Sequence, residues 1–210
     1  MNNTQYSLFL TAGLLLLIFA QCESTTTSTK PMKIKALDKP QIVKLYEKHS
    51  GQKINDTDDF CIEEAPDLKG VYNLGWFAHD RGCMGNEILV GNKIGPWGEM
   101  MPEVLRLFGW QEEAKQEKLA LDWVTDVILV WDSPMSSGGE DFERAEAPKF
   151  QVPKVEKIDA GWQVSLWVRE PGGMLPQNDY YFFVVEIAKD GSLGSTEIKE
   201  RYTAKIKGYE

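Results

Sequence analysis

The segment GWQVSLWVRE, residues 161–170, decides the fold that the sequence predicts. Apolar residues occupy its alternate positions, which is the period of a strand with one buried face. They are Trp162, Val164, Leu166 and Val168. Residues 152–158, 179–187 and 195–206 also carry strand patterns, and short turn-forming stretches separate the four segments. Together they predict a four-stranded antiparallel meander.

A long helix predicted upstream supplies the cover that such a sheet needs. Residues 111–131 carry a continuous apolar stripe at helical spacing, and Glu112 and Glu113 lie at the end where the helix dipole favours negative charge. Because a one-sided sheet must bury its apolar face, we expect this helix to pack on the meander. Residues 127–131 fit either the end of the helix or the start of a strand.

A smaller helix and hairpin segment precedes the long helix. Residues 39–51 are predicted to form a short helix, and residues 70–79 and 86–92 two strands joined by a turn at residues 81–85. Residues 101–108 are expected to form another helix that ends at a glycine. The overall prediction is an α+β domain: a long helix packed on a four-stranded antiparallel meander, preceded by a small helix/hairpin segment.

Composition and charge limit the function classes. The chain has 210 residues, 42% of them hydrophobic and 26% charged, as in an ordinary globular protein. Its net charge of −9 repels phosphate backbones and anionic lipid headgroups, so neither nucleic-acid binding nor electrostatic binding to a membrane is expected. The acidic field suits a basic protein partner, although many proteins are acidic for solubility alone.

The N-terminus contains the hydrophobic core of a signal peptide. The apolar run that ends at Ala20 is shorter than the roughly 20 residues that a membrane span needs. The sequence FAQC, residues 19–22, resembles the lipobox of bacterial lipoproteins, in which the signal peptide is cut before a cysteine that receives a lipid. Ala20 fits that pattern, whereas Phe19 and Gln21 stand where leucine and a small residue are usual. The alternatives are an ordinary signal peptide cut near Ala20 and an uncleaved anchor.

This resemblance implies a protein of the bacterial cell envelope, periplasmic or surface-exposed, attached to the membrane through a lipid on Cys22. Residues 1–21 would be the signal peptide. Residues 22–32 would hold the anchor cysteine and a Ser/Thr-rich tether, which has no apolar face to bury and is therefore expected to be disordered. Residues 33–210 would form one globular domain.

The three cysteines raise the question of what Cys83 does. Within the stretch HDRGC it follows His79 and Asp80, which would suit a catalytic thiol, a metal ligand or half of a disulfide. If Cys22 carries the lipid, Cys61 and Cys83 remain as an even pair in an oxidising compartment. A Cys61–Cys83 disulfide is then expected.

Catalytic and metal-binding signatures are not evident in the sequence. No familiar nucleophile, zinc, phosphate or dinucleotide motif is present, and no cofactor is expected. The oxygen-rich residues 55–59 lack the glycine and distant glutamate of a familiar calcium loop, so a polar turn is favoured over a metal site. Trp97 lies in a Gly/Pro loop and either plugs the core or faces outward. Trp167 and Arg169, on the strand face opposite Trp162, are its predicted companions in a ligand or partner surface.

Two functions follow from these features. The first is a non-catalytic envelope lipoprotein that acts as a binding, inhibitor or assembly module. The alternative is an envelope hydrolase that uses carboxylates such as Asp80 and Glu99, together with His79.

Overall fold

A capped helix is the first regular element in the part of the chain that the structure describes. In the computed structural model, the described residues are 34–55, 59–78, 82–130, 133–134, 152–169 and 177–205. Helix α1, Lys39–Ser50, starts at a capping box: Asp38 accepts a hydrogen bond from the backbone N–H of Gln41, and Gln41 accepts one from that of Asp38. Gly51, with φ of 70°, ends the helix as the sequence predicts.

The segment predicted as a hairpin is a complete four-stranded antiparallel sheet, here called the first sheet. Its strands follow one another in chain order. They are β1 (Phe60–Glu64), β2 (Val71–Ala78), β3 (Gly82–Val90) and β4 (Lys93–Pro96). The predicted turn at residues 81–85 is wrong, because Gly82, Cys83 and Met84 lie within β3, paired to β2.

Alternate residues of β2 enter two different cores. Tyr72 and Leu74 face α1, where they join the N-terminal core. Its buried members are Ile42, Tyr46, Ile54, Phe60, Tyr72, Leu74 and Leu89. Val71, on the opposite face, joins the larger central core, which the second sheet and the remaining helices complete. The first sheet is thus a middle layer, and its strands are apolar on both faces.

The second sheet contains the predicted meander. Strands β6 (Lys154–Ile158), β7 (Gly161–Arg169), β8 (Gln177–Ala188) and β9 (Leu193–Lys205) pair antiparallel in sequence order, and the short β5 (Ser133–Pro134) also pairs with β7. The inward residues of β7 are buried in the central core, as predicted. They are Trp162, Val164, Leu166 and Val168.

The predicted helix before Gly109 is present, whereas the predicted long helix is shorter than expected and ends in a π turn. Helix α2, Trp97–Phe108, begins four residues before the predicted start, tolerates Pro102 in its second turn and ends at Gly109. Helix α3, Glu113–Trp123, continues into one π-helical turn, Val124–Ile128. The prediction of one helix over residues 111–131 is therefore wrong in length and in regularity. Residues 127–128, whose state the sequence left open, belong to the π turn, and residue 131 lies outside the described part.

The second sheet is also buried on its other face, which corrects a second expectation. Trp167 has only 5% of its surface exposed, and its β8 neighbours Tyr180 and Val184 have 1% and 5%. The rings of Trp167 and Phe182 stack across the strands with centroids 5.4 Å apart. Trp167 is therefore part of the interior, and it does not form an exposed partner surface with Trp97.

Candidate interaction surface

The β2–β3 hairpin carries a cluster of exposed apolar side chains near the pair Ala78–Gly82. Trp76, Phe77 and Met84 have 41%, 46% and 46% of their surface exposed, and we call them the hairpin patch. Trp76 and Met84 are directly paired across the two strands and therefore share one face. Phe77 pairs with Cys83, and the alternation of a strand places it on the other face.

Two aromatic rings of the N-terminal core pack against Trp76. The Trp76 ring lies 5.1 Å from that of Phe60 and 6.2 Å from that of Tyr46, and the Tyr46 and Phe60 rings are 4.6 Å apart, between centroids. These separations are typical of favourable aromatic pairs. Trp76 is thus held at the margin of the N-terminal core, with the inner part of its ring packed and the outer part in solvent.

The predicted disulfide is confirmed, and it braces this hairpin. Cys61 in β1 and Cys83 in β3 are bonded, with Cα atoms 6.0 Å apart. Their partners on the intervening strand β2 are Gly75 and Phe77. Since β1 and β3 are both neighbours of β2, the bond ties the two outer strands together across the middle one, beside the hairpin patch.

Two glycines allow the strands to approach each other at this point. Between the pairs Leu74–Glu87 and Trp76–Met84, β2 contributes one residue and β3 two, which is a β-bulge. A Cβ atom on Gly75 would lie 2.5 Å from the Met84 carbonyl oxygen, and one on Gly85 would lie 2.0 Å from that of Leu74. Neither position accommodates a side chain, so glycine is required on both strands.

A polar network joins the first sheet to the end of α3. The buried Asp126 accepts hydrogen bonds from the Asp67 N–H at 2.8 Å and the Thr125 hydroxyl at 3.0 Å. Its backbone carbonyl accepts one from the side-chain amide of the buried Asn73, at 2.8 Å. The π turn makes this arrangement possible, because its hydrogen bond runs from the Leu129 N–H to the Val124 carbonyl, 3.0 Å away, rather than in α-helical register.

A second carboxylate of the network lies beside a lysine. Asp122 is buried, and both its oxygens accept from the Lys118 ammonium, at 2.7 and 2.9 Å. Burial raises the pKa of Asp122; the Lys118 contact opposes this, and the charges of Asp67 and Asp126 add to it. For Lys118, burial acts to lower the pKa, but the contacts with Asp122 and Asp67 outweigh it and raise the pKa. Every carboxylate of this network is engaged in holding the fold.

The raised pKa of Asp122 predicts how its contribution to stability changes with pH. The folded protein takes up this proton at a higher pH than the unfolded chain, whose value is about 3.8. Lowering the pH from neutral through the pKa of Asp122 in the folded protein therefore increases the free energy of unfolding. The increase stops once the pH is below 3.8, the pKa of the unfolded chain. We expect the free energy of unfolding of the wild type, relative to Asp122→Asn, to rise over this range in urea titrations. A difference that stays constant with pH would contradict the assignment.

The structure places the remaining sequence-predicted residues apart from one another. Trp97 starts α2 and packs half-buried against the central core, Arg169 is half-buried at the end of β7, and Glu99 is exposed in the first turn of α2. The sequence analysis missed the hairpin patch: the pattern predicts a strand over residues 70–79 but no binding surface on it. The adjacent pair Trp76–Phe77 indicated such a surface. Consecutive residues of a strand point to opposite faces, so both rings are buried only where the strand is covered on both faces.

Several predicted residues lie outside the described part of the chain. They are Cys22, His79 and Asp80, together with residues 56–58 of the oxygen-rich stretch. Within the described ranges, no group of three or more histidine, cysteine, aspartate or glutamate side chains is placed to hold a metal ion. None of the described helices is long and apolar enough to cross a membrane.

Comparisons with protein families, with curated proteins and with solved structures find no significant match to this chain.

Proposed function

We propose that this protein is a non-catalytic binding module of the bacterial cell envelope, anchored through a lipid on Cys22. The lipobox-like FAQC sequence and the Ser/Thr-rich stretch that follows it support the anchor. The hairpin patch carries the binding role. A disulfide between Cys61 and Cys83 agrees with an oxidising compartment outside the cytoplasm.

The exposure of the hairpin patch is the observation behind this proposal. Five large apolar side chains are exposed among the described residues, and three of them are in the patch. Of the other two, Ile198 lies in β9 of the second sheet and Val152 precedes β6. Clustered exposed apolar groups, unlike scattered ones, mark interaction sites. The disulfide and the aromatic stack hold this cluster in place before any partner binds, which reduces the entropy lost on binding.

The carboxylates of the described part do not favour the alternative of a hydrolase. Asp126 accepts a hydrogen bond from the Asp67 N–H, Asp122 binds Lys118 of the same helix, and Glu99 is exposed on α2. A general acid or base needs a free position within hydrogen-bonding reach of a substrate.

Photo-crosslinking in intact cells tests the binding role. A benzoylphenylalanine at Phe77 is expected to form a covalent adduct, whereas the same probe at Val152, which is 62% exposed, is expected to form none. Val152 is a matched control because it is also apolar and exposed. Equal adducts from both positions, or none from either, would overturn the proposal.

The mass of the chain from its own host tests the anchor. A lipid increment on a new N-terminal Cys22 is expected, and it should be lost in Cys22→Ser. A mature chain without lipid would contradict the proposed anchor. The binding role of the hairpin patch would then depend on the crosslinking result alone.

A further inference from the structure

Positive charge is concentrated in the tether and in the segment that follows it. Residues 23–53 contain seven lysines and three acidic residues, whereas residues 54–210 contain 16 basic and 29 acidic residues. The chain as a whole is acidic, yet residues 23–53 are basic. The net charge therefore conceals two regions of opposite sign.

The lysines of this segment are available for binding. Lys44 and Lys48, spaced i,i+4, project from the same side of α1, and both are exposed. Three further lysines, at 35, 39 and 53, are also exposed. Within the described residues, none of the five forms an ion pair, in contrast to Lys118 and Lys157, which bind carboxylates. Their charge is not neutralised by the fold.

Helix α1 and part of the hairpin patch lie on the same side of the first sheet. Tyr46 of α1 contacts the Trp76 ring, and Met84 shares the face of Trp76. His49 of α1 lies 3.4 Å from Glu87 of β3, which ties the helix to the same hairpin. Exposed lysines and exposed apolar side chains thus occupy one side of the molecule.

We propose that this side, formed by Trp76, Met84 and the exposed lysines of α1, docks on an anionic lipid bilayer. Lysine ammonium groups bind anionic headgroups, tryptophan favours the interfacial layer, and an apolar tip next to basic residues is the combination found in interfacial elements. The occupant is the membrane to which the chain would be anchored, so this inference rests on the proposed function.

The length of the tether supports this choice of occupant. Residues 23–33 separate Cys22 from Ile34, and eleven residues span at most about 40 Å when fully extended. With a lipid on Cys22, α1 is the first described element to follow the anchor. A tethered surface meets the bilayer at a high effective concentration, so weak docking is enough.

The acidic remainder of the chain would orient the docked domain. The same anionic headgroups that attract the α1 lysines repel residues 54–210, whose acidic groups outnumber their basic ones. Docking through the lysines of α1 is then favoured over docking through the acidic parts of residues 54–210.

Fluorine NMR of the lipidated full-length protein in nanodiscs tests the docking. The seven tryptophans are labelled as 5-fluorotryptophan, and Trp76→Phe identifies the Trp76 signal. In discs containing phosphatidylglycerol, a spin-labelled lipid is expected to broaden Trp76 more strongly than the buried Trp123 and Trp162, and discs of phosphatidylcholine alone should remove this difference. Lys44→Gln/Lys48→Gln should reduce the broadening by more than half, whereas the charge-matched Lys154→Gln/Lys199→Gln should not.

The outcomes separate this inference from the function on which it rests. Broadening of Trp76 no greater than that of the buried tryptophans, or equal in both kinds of disc, would overturn the docking. An unchanged signal in Lys44→Gln/Lys48→Gln would do the same. If a probe at Phe77 still crosslinks to a protein, the binding module stands and its partner is a protein. If neither lipid broadening nor any adduct is seen, both proposals fail.

Discussion

Replacing Asp126 by alanine is expected to lower the free energy of unfolding by about 3 kcal/mol, because a buried donor loses its acceptor. The Asp67 N–H donates to Asp126 at 2.8 Å, and the Thr125 hydroxyl donates to the other carboxylate oxygen. Water cannot readily replace the carboxylate, since Asp126 is only 8% exposed. The loss should appear as a lower midpoint in urea with an unchanged slope.

Two further variants make this result interpretable. Asp126→Asn keeps an oxygen for the Asp67 N–H and should lose less stability than Asp126→Ala. Asp190→Ala removes an exposed carboxylate that accepts from Ser192, and its effect should be much smaller because water can solvate the freed groups. If Asp126→Ala unfolds at the wild-type midpoint, Asp126 does not stabilise the junction of α3 with the first sheet.

Removing the disulfide is expected to cost about 3 kcal/mol in the chain-entropy model, since the bond closes a loop with a sequence separation of 22. The double variant Cys61→Ala/Cys83→Ala should therefore unfold at a lower urea concentration than the oxidised wild type. Reduced wild-type protein should unfold close to the variant, because both lack the same constraint. Equal midpoints for the oxidised and reduced proteins would contradict this expectation.

The same variant provides a local test near the hairpin patch. Without the bond, β1 and β3 are still paired to β2 by backbone hydrogen bonds, but the tie across the middle strand is lost. Amide hydrogen exchange around Trp76 and Met84 should become faster, while exchange in β7 should change little. Uniform acceleration in both sheets would indicate that the bond stabilises the whole domain rather than the hairpin.

Local sequence signals predicted the elements that depend on local interactions. Helix α1 ends at Gly51 and α2 at Gly109, where a left-handed backbone is needed, and glycine marks both positions. The inward face of β7 follows the period of two. The disulfide also followed from counting cysteines once Cys22 was assigned to a lipid, because an even pair then remained.

The errors arose where partners distant in the sequence decide the structure. Residues 124–128 have the apolar spacing of a continuing α-helix, yet they form a π turn. Asn73 and Asp67, more than fifty residues earlier, hydrogen-bond to Asp126 within that turn. A periodicity cannot reveal such contacts. The prediction that Trp167 is exposed was wrong, because the alternation in β7 suggested that one face of the strand is open to solvent. The unbroken apolar run of β8, residues 180–185, was the better guide, since it is typical of a strand covered on both sides.

The hairpin patch could be located only with the strand pairing in view. Trp76 and Met84 are eight residues apart, and their contact depends on the bulge that offsets β3 by one residue. Without Gly85 and the extra residue, Met84 would not lie opposite Trp76. Sequence alone places both residues near a turn, but it does not put them on the same face as α1.

The division of the first sheet between two cores has a consequence for the order of assembly. Every buried residue of the N-terminal core lies between Ile42 and Leu89, whereas the central core brings Ala65 against strands that end near Ile187. The entropy lost on closing a loop grows with its length, so the N-terminal core is the less costly one to form. Its residues are also the first to emerge when a chain is synthesised or exported from its N-terminus. One face of β2 would then already be packed in the N-terminal core. The second sheet and the later helices would pack afterwards against its other face.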